Sequence, residues 1–304
     1  MPNYLPLVSI VLPVFNGERT LRTTLESLLA QTYSHFELLI GIDGTKDGSK
    51  AIAEAFGDER IKIYEQPTNL GLANNLNSLI KVSSASSKYI AMAEQDDVYV
   101  PQRLQWQLEV MQKQPEVGLV SGIANFVSDT SSVLFPGLLV QKKQFSHGID
   151  LFKYLYVNQL KVVNTCMLFR KETHVNHHLE FKSTYGNFNV DWDYVLRFCL
   201  HAKVHGLPKV LVKMNRTSQN ISVTTNKWGQ FKASRQLIKD FRDEFPNLIT
   251  EQDYNKALKM CRKIELGHHP KAKLVLYGLY YFLRYGDMYF LRYIGRRIKT
   301  YWNK

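Results

Sequence analysis

Through its first hundred residues the chain alternates unbroken apolar runs with stretches whose apolar positions recur at helical spacing. Leu7 to Val14 is a continuous β-rich run, the pattern of a strand buried on both faces. Glu18 to Gln31 follows, with Leu21, Leu25, Leu28 and Leu29 on one helical stripe. Phe36 to Ile42 predicts the next strand, closed by the turn residues Asp43 and Gly44. A short helix over Ser49 to Phe56 leads to a strand at Ile61 to Tyr64. A helix over Leu72 to Val82 and a strand from Tyr89 to Ala93 complete the series. Repetition of strand, helix and strand predicts an α/β fold with a Rossmann-like, mostly parallel sheet and right-handed crossovers.

Ligands of such sheets bind beyond the carboxyl ends of the strands, where the loops converge. Three polar clusters fall at those ends: Asn16-Gly17-Glu18, Asp43-Gly44 and Glu94-Gln95-Asp96-Asp97. After Pro101 the spacing of Leu104, Leu108 and Met111 predicts an amphipathic helix ending near Gln114-Pro115, and Val117 to Val120 begins another strand. Residues 128–148, rich in Ser, Gly and Lys, read as a long loop. Leu151 to Val157 reads as helical, Thr165 to Phe169 as a strand and Val190 to Ala202 as a helix. Beyond Asn226 the pattern is wholly helical. The expected organisation is a domain over 1–225, with halves of about 1–125 and 126–225, followed by a helical region over 226–304.

The hydrophobic share of 45% is that of a globular protein. The net charge of +12 is uneven: from Lys259 onward eleven Lys or Arg stand against Glu265 and Asp287, a net of +9. Such an end suits a polyanion, either nucleic acid or an anionic membrane. Aromatic residues interleave with the charges from Tyr277 to Trp302, which fits an interfacial segment on an anionic leaflet or an appendage that packs on itself. Met1 to Pro6 lacks the basic start of a secretory signal, and no run reaches the roughly 18–20 apolar residues of a membrane span. A cytoplasmic protein, or one peripheral on the cytoplasmic face of the inner membrane, is expected. Cys166, Cys199 and Cys261 show no paired or metal-type spacing and read as buried thiols.

The acidic run is the sharpest chemical feature. Glu94, Asp96 and Asp97, directly after a buried strand, repel one another unless a cation neutralises them. Hard divalent ions such as Mn²⁺ or Mg²⁺ prefer carboxylate oxygens, commonly one or two together with substrate phosphates. The alternative is a solvated acidic turn before the helix that follows Pro101.

Taken in order, these segments resemble glycosyltransferase family 2. Val8 to Glu18 is similar to that family's opening strand and loop, and Asp43-Gly44-Thr45-Lys46-Asp47-Gly48-Ser49 to its "DDGSTDGS" turn. Asn69-Leu70-Gly71-Leu72-Ala73 resembles its "NLGL" segment, and Ala91 to Asp97 the stretch that holds its DXD motif. Val190 to Arg197, read as Val-Asp-Trp-Asp-Tyr-Val-Leu-Arg, falls where the family shows "EDYDLWLR". The resemblance covers roughly residues 7–222 and implies a GT-A fold, a nucleotide-sugar donor and an inverting transfer to a saccharide or lipid-linked saccharide acceptor. It further implies a donor-binding half at about 1–125 and an acceptor half at about 126–225. Pro13, Asn16 and Glu18 would line the nucleotide pocket, Asp43 would lie near the base or ribose, and Glu94 near the ribose or metal. Asp96, with Asp97, would hold the cation that bridges the diphosphate. Asp191 would be the catalytic base, with Asp193 its rival. Ile42, Glu94 and Val190 stand where the family usually has Asp or Glu, and Met214-Asn215-Arg216-Thr217 replaces its "YRxH" segment.

The main enzymatic rival, a nucleotidyltransferase, normally carries a glycine-rich basic loop after the first strand, and Asn16-Gly17-Glu18-Arg19 offers one glycine. Binding of nucleic acid is not expected, because acidic clusters at the sheet mouth repel phosphates that bring no metal. A catalytically inactive protein of the same fold is the remaining alternative.

Overall fold

The computed structural model describes residues 5–135, 139–140, 143–144, 147–215 and 226–302. Its elements begin with β1 (Leu7–Val14), α1 (Leu21–Leu29), β2 (Phe36–Asp43), α2 (Ser49–Glu54), β3 (Ile61–Gln66), α3 (Leu72–Val82) and β4 (Ser87–Met92). There follow β5 (Asp97–Tyr99), α4 (Arg103–Lys113), β6 (Val117–Val127), β7 (Ser132–Phe135), β8 (Leu139–Val140), β9 (Lys143–Gln144) and α5 (Ile149–Asn158). A 3₁₀ turn (Asn164–Cys166), β10 (Leu168–Arg170), α6 (Lys171–Asn176), β11 (Thr184–Asn187), α7 (Val190–Phe198) and β12 (Lys203–Asn215) come next. Four helices close the chain: α8 (Lys227–Glu244), α9 (Glu251–His268), α10 (Lys271–Tyr285) and α11 (Met288–Trp302).

The chain divides into two compact units, Met1–Leu155 with Leu160–Gln230, and Tyr156–Gln159 with Phe231–Lys304. In the first, one sheet runs in the order β3-β2-β1-β4-β10-β6-β12-β5, with β7 paired to β6. The pairs β3–β2, β2–β1 and β1–β4 are parallel, as the alternating pattern predicts. The other half of the sheet is mixed. β10 lies antiparallel to both β4 and β6, β12 runs parallel to β6, and β5 is antiparallel to β12.

Alternation along β1 sorts its side chains to two buried faces. Val8, Ile10, Leu12 and Val14 share a core with Leu21, Leu25 and Leu28 of α1 and Leu104, Leu108 and Met111 of α4. Val11, Leu39 and Ile90 are buried on the other side. Ser9 and Glu37 are the polar exceptions. The Glu37 carboxylate accepts from Ser9 Oγ at 2.6 Å, Ser84 N at 2.7 Å and Lys62 Nζ at 2.7 Å. Burial alone would raise its pKa, but these bonds outweigh burial and hold it below the ordinary value.

Two sequence expectations need correction, and one segment without an assignment proves to be a strand. Residues 128–148 are not one loop, because β7 pairs antiparallel with the end of β6 and β8 with β9. The segment after α7 is a 13-residue strand, β12, interrupted by register shifts around Gly206 to Val212 where Pro208 cannot donate to a ladder. The acidic run itself enters a strand, β5, whose Asp97 stands opposite Met214.

The second unit is helical. A capping box between Thr250 and Asp253 starts α9, and Gly286 at φ 64° ends α10. Leu266, Leu274, Phe290 and Ile294 form its terminal core, with Tyr281, Phe282, Tyr289 and Tyr293 packed against them. Gly278 permits the close approach of α10 and α11: a Cβ there would lie 2.5 Å from Ile294 Cδ1. Much of the aromatic tail is therefore the unit's own packing. Among the described residues no helix is long and apolar enough to cross a membrane.

One backbone position sets the approach to the sheet's mouth. Gly44 has φ 63°, and a Cβ there would sit 2.5 Å from Asn69 N and 2.7 Å from the Thr68 carbonyl carbon. Both obstacles are main chain and cannot rotate aside. Gly44→Ala is expected to cost about 1–3 kcal/mol, seen as a lower denaturant midpoint with an unchanged slope. A wild-type midpoint would show that the turn tolerates a side chain.

Candidate functional site

A cavity of about 640 Å³ opens beyond the carboxyl ends of β1, β2 and β4. Its lining includes Pro13, Val14 and Phe15 from β1 and its exit, Asp43 from β2, and Glu94, Gln95 and Asp96 from the loop after β4. Opposite in sequence, Lys161 to Asn164 and Asn187 to Asp191 complete the polar wall, while Phe126, Phe135 and Phe188 supply apolar surface. Segments far apart in the sequence of the α/β unit thus meet at one mouth.

The acidic loop is tightly framed. Carboxylate oxygens of Glu94, Asp96 and Asp97 all lie within 4.8 Å of one another, with Asp97 buried and the other two partly exposed. Tyr99 Oη accepts from Glu94 N at 2.8 Å and is bonded to Thr165 Oγ1. From α1, Thr24 Oγ1 approaches the carbonyls of Gln95 and Asp97, each at 2.9 Å. The Gln95 amide accepts from Phe15 N at 2.8 Å and donates to Phe15 O at 3.0 Å, tying the exit of β1 to this loop. Beneath lies the buried Arg103, which donates to Met92 O at 2.7 Å and Met167 O at 3.2 Å, with its guanidinium 4.7 Å from the Tyr99 ring centre.

Asp43 is buried at the end of β2. Its carboxylate accepts from Leu70 N at 2.7 Å and Gly71 N at 3.0 Å, an anion against the start of α3. Two neighbouring amides are incomplete. Asn75 donates to Gly41 O and Asn164 to Glu94, yet the Oδ1 of each is buried and has no hydrogen-bond partner among the described residues. Both residues line the cavity.

Asp191 occupies the first turn of α7, entered through Asn189 in the left-handed region at φ 58°. Its carboxylate accepts from Trp192 N at 2.9 Å. Desolvation raises its pKa above the ordinary value, opposed by the Lys161 ammonium. Lys161 in turn bonds Asn189 Oδ1 and lies 5.4 Å from the Trp192 ring centre. Asp193, two residues on, is buried and paired with Arg197 Nε at 3.0 Å, one turn along the same helix. It does not line the cavity. Helix geometry thus separates the two carboxylates that the sequence leaves as rivals: one lines the cavity, the other is bound internally.

Among the expected site residues, Pro13, Asp43, Glu94, Asp96 and Asp191 line the cavity, while Asn16, Glu18 and Asp97 do not. Asn16 and Glu18 instead stand at the β1 exit, bonded to the turn that follows β2. Asn16, at φ 51°, accepts from Lys46 N at 3.3 Å, and Glu18 accepts from Gly48 N at 3.2 Å. They join the β1 exit to the Asp43–Ser49 turn. Arg216 and Thr217 of the late segment fall outside the described residues. Sequence reasoning missed Lys161, Asn164, Asn75 and Asn189. Asn189 just ahead of the acidic helix start was the one local signal available, since Asn tolerates the left-handed conformation found there.

Comparisons with known proteins fit this architecture. The profile of "Glycosyl transferase family 2" matches residues 9–174, just over half of the 304-residue chain. The first curated relatives match over 33%, 59% and 33% of their own lengths, so the chain spans a third to three-fifths of each. UDP-Glc:alpha-D-GlcNAc-diphosphoundecaprenol beta-1,3-glucosyltransferase WfgD of Escherichia coli is 32% identical over 127 residues, 42% of this chain and 49% of that protein. Among solved structures, S. aureus TarS 1-349 in complex with UDP-GlcNAc gives a TM-score of 0.62 at 13% identity, covering 96% of this chain and 91% of that one. Mannosyltransferase PcManGT from Pyrobaculum calidifontis, in complex with GDP-Man and Mn2+, gives 0.56 at 14% identity, covering 100% and 89%. These likenesses identify the fold as GT-A. The chain belongs to glycosyl transferase family 2.

The two aspartates of α7 should separate in stability. Asp193→Asn leaves Arg197 without its buried partner and is expected to cost about 1.5–3 kcal/mol, while Asp191→Asn should leave the thermal midpoint near wild type. A midpoint lowered by Asp191→Asn and unmoved by Asp193→Asn would contradict the assignment.

Proposed function

We propose that the chain transfers a sugar from a nucleotide-diphosphate-sugar, a UDP-sugar, to a hydroxyl of a saccharide or lipid-linked saccharide, inverting the anomeric carbon. The observation that carries this reading is a single cavity lined both by the acidic loop after β4 and by Asp191 at the start of α7. Inverting displacement needs such separated acidic sites, because nucleophile and leaving group lie on opposite faces of the sugar.

In the proposed reaction the acceptor oxygen attacks the anomeric carbon as its bond to the diphosphate oxygen breaks. The bonding electrons leave on the nucleoside diphosphate, and the hydroxyl proton passes to the Asp191 carboxylate. A sugar hydroxyl is a weak nucleophile, so a positioned base assists its attack. Asp191 suits that role by facing the cavity with a raised pKa, and Lys161 keeps the carboxylate form accessible. Asp43 and Pro13 are assigned to the nucleoside side of the cavity. The cavity is proposed to combine a donor half at about 1–125 with an acceptor half at about 126–225.

The acidic loop fits a divalent cation, Mn²⁺ or Mg²⁺. Its donor set is hard carboxylate oxygen, gathered within 4.8 Å around Glu94, Asp96 and Asp97. Asp96 would hold the ion, with Asp97 and Glu94 beside it, and the bound ion supplies positive charge to the departing diphosphate. Such a cation accompanies GDP-Man in PcManGT.

The name of WfgD specifies UDP-Glc and a diphosphoundecaprenol-linked acceptor, and TarS is seen with UDP-GlcNAc. These support the UDP donor and a lipid-linked acceptor; the setting we propose is cell-surface polysaccharide or lipopolysaccharide synthesis. Such an acceptor places the protein at the cytoplasmic face of the inner membrane, held peripherally.

Three substitutions test the assignment. Asp96→Ala should abolish transfer and Mn²⁺-dependent UDP binding, measured by calorimetry, while the fold persists; full activity in this variant or in excess EDTA contradicts the proposal. Asp191→Asn should lower kcat by about 10²–10⁴-fold with donor affinity nearly unchanged, whereas Asp193→Asn should retain turnover in its folded fraction. Because the Asp191 pKa is raised and the ionised form is the base, kcat should rise with pH through a limb above the ordinary aspartate value near ~3.9. A kcat limb at or below that value would remove Asp191 from the role.

A further inference from the structure

Helix α10 is apolar on two faces, and the helical unit covers one of them. Leu274 and Gly278 face inward, where Phe290 and Ile294 of α11 meet them. The opposite side carries Leu276, Leu279, Tyr280 and Leu283, exposed by 66, 43, 53 and 80%. Steps of three, one and three residues align these four in a single stripe about 100° wide. A helix that only needed to pack in this unit would carry polar residues there. Exposed Lys273 and Arg284 stand along one edge of the stripe, and Arg292, Arg296 and Lys299 form an exposed row on α11. The two acidic residues of this end are engaged: Glu265 is paired with Arg235, and Asp287 with Lys259 at 2.6 Å.

We propose that this stripe docks α10 flat in the surface of an anionic lipid bilayer. Leu276, Leu279 and Leu283 enter the boundary between headgroups and acyl chains, with the Tyr280 ring at headgroup level. Lys273 and Arg284 extend from the edge toward lipid phosphates, and the basic row of α11 adds attraction within a Debye length. Charge complementarity selects this occupant over a second copy of the chain, since self-association would press a segment of net charge +9 against itself. The inference deepens the proposed peripheral location and rests on it only there. It also shifts the expected contact from the aromatic C-terminus to α10, because Tyr281, Phe282, Tyr289 and Tyr293 are packed within the unit.

The test uses the full chain without donor or acceptor, in flotation with vesicles of phosphatidylcholine alone or mixed with phosphatidylglycerol. Binding is expected to the mixed vesicles at low salt, weakening as salt rises. The pair Leu279→Ser and Leu283→Ser should lower the partition coefficient by at least about tenfold, with helix content by circular dichroism unchanged. Leu283→Trp, which keeps the stripe apolar, should bind as wild type, and its added fluorescence should shift blue and be quenched by brominated lipid. No binding of the wild-type chain to anionic vesicles overturns the proposal. So does unaltered binding of the serine pair, or a Leu283→Trp signal that ignores vesicles. A serine pair that turns a dimer into a monomer without changing vesicle binding assigns the face to self-association instead. Because no transfer is measured, docking and sugar transfer fail separately.

Discussion

Three carboxylates held together at the end of a buried strand are the constraint around which this α/β unit is built. At separations below 4.8 Å, each like-charged pair repels by on the order of 3 kcal/mol at an effective dielectric near 20. An unsupported loop would relax by moving them apart. Here the surroundings resist. Tyr99 and Thr24 hold the main chain of Glu94, Gln95 and Asp97. Gln95 locks to both backbone groups of Phe15. Arg103, buried and bonded to the Met92 and Met167 carbonyls, places a positive charge under the loop. That charge offsets part of the repulsion from within, and a cation on the cavity side would offset the rest.

The same frame explains the division of labour around the cavity. Parallel strands deliver Pro13, Asp43 and Glu94 to one edge because their carboxyl ends align. The antiparallel insertion of β10 then turns the chain back, and Lys161 to Asn164 and the start of α7 arrive from the other direction. Carboxylates with different environments result. Asp43 is saturated by backbone donors, the acidic loop gathers negative charge, and Asp191 is desolvated beside a lysine.

β1 and β2 were legible because each is a largely apolar run bounded by turn residues, the pattern of a strand buried on both faces, while β3 showed itself by the alternation of Ile61 and Ile63 with Lys62. β12 was not legible, since Gly206 and Pro208 break its alternation and its register shifts are fixed only by pairing with β6. β5 was hidden for a different reason. Its residues read as an acidic turn, and only the long-range partner Met214 makes Asp97 a strand residue. In the site, polarity at strand ends pointed to loops that border the cavity but carried no information on the direction of each side chain. Asn16 and Glu18 look the same in sequence as pocket residues, yet they bond the neighbouring turn. Lys161 and Asn164 lie in a segment whose position is set entirely by tertiary contacts, so no local pattern marks them.

The central claim is an inverting transfer carried out in this cavity, and the stereochemistry of the product examines it most directly. The purified chain would be incubated with Mn²⁺, a panel of α-linked UDP-sugars and lipid-linked saccharide acceptors, and the new glycosidic bond assigned by the anomeric proton coupling in NMR. The account predicts release of UDP with formation of a β-linked product. An α-linked product, or a chain that binds UDP-sugars but only hydrolyses them with every acceptor, would contradict it.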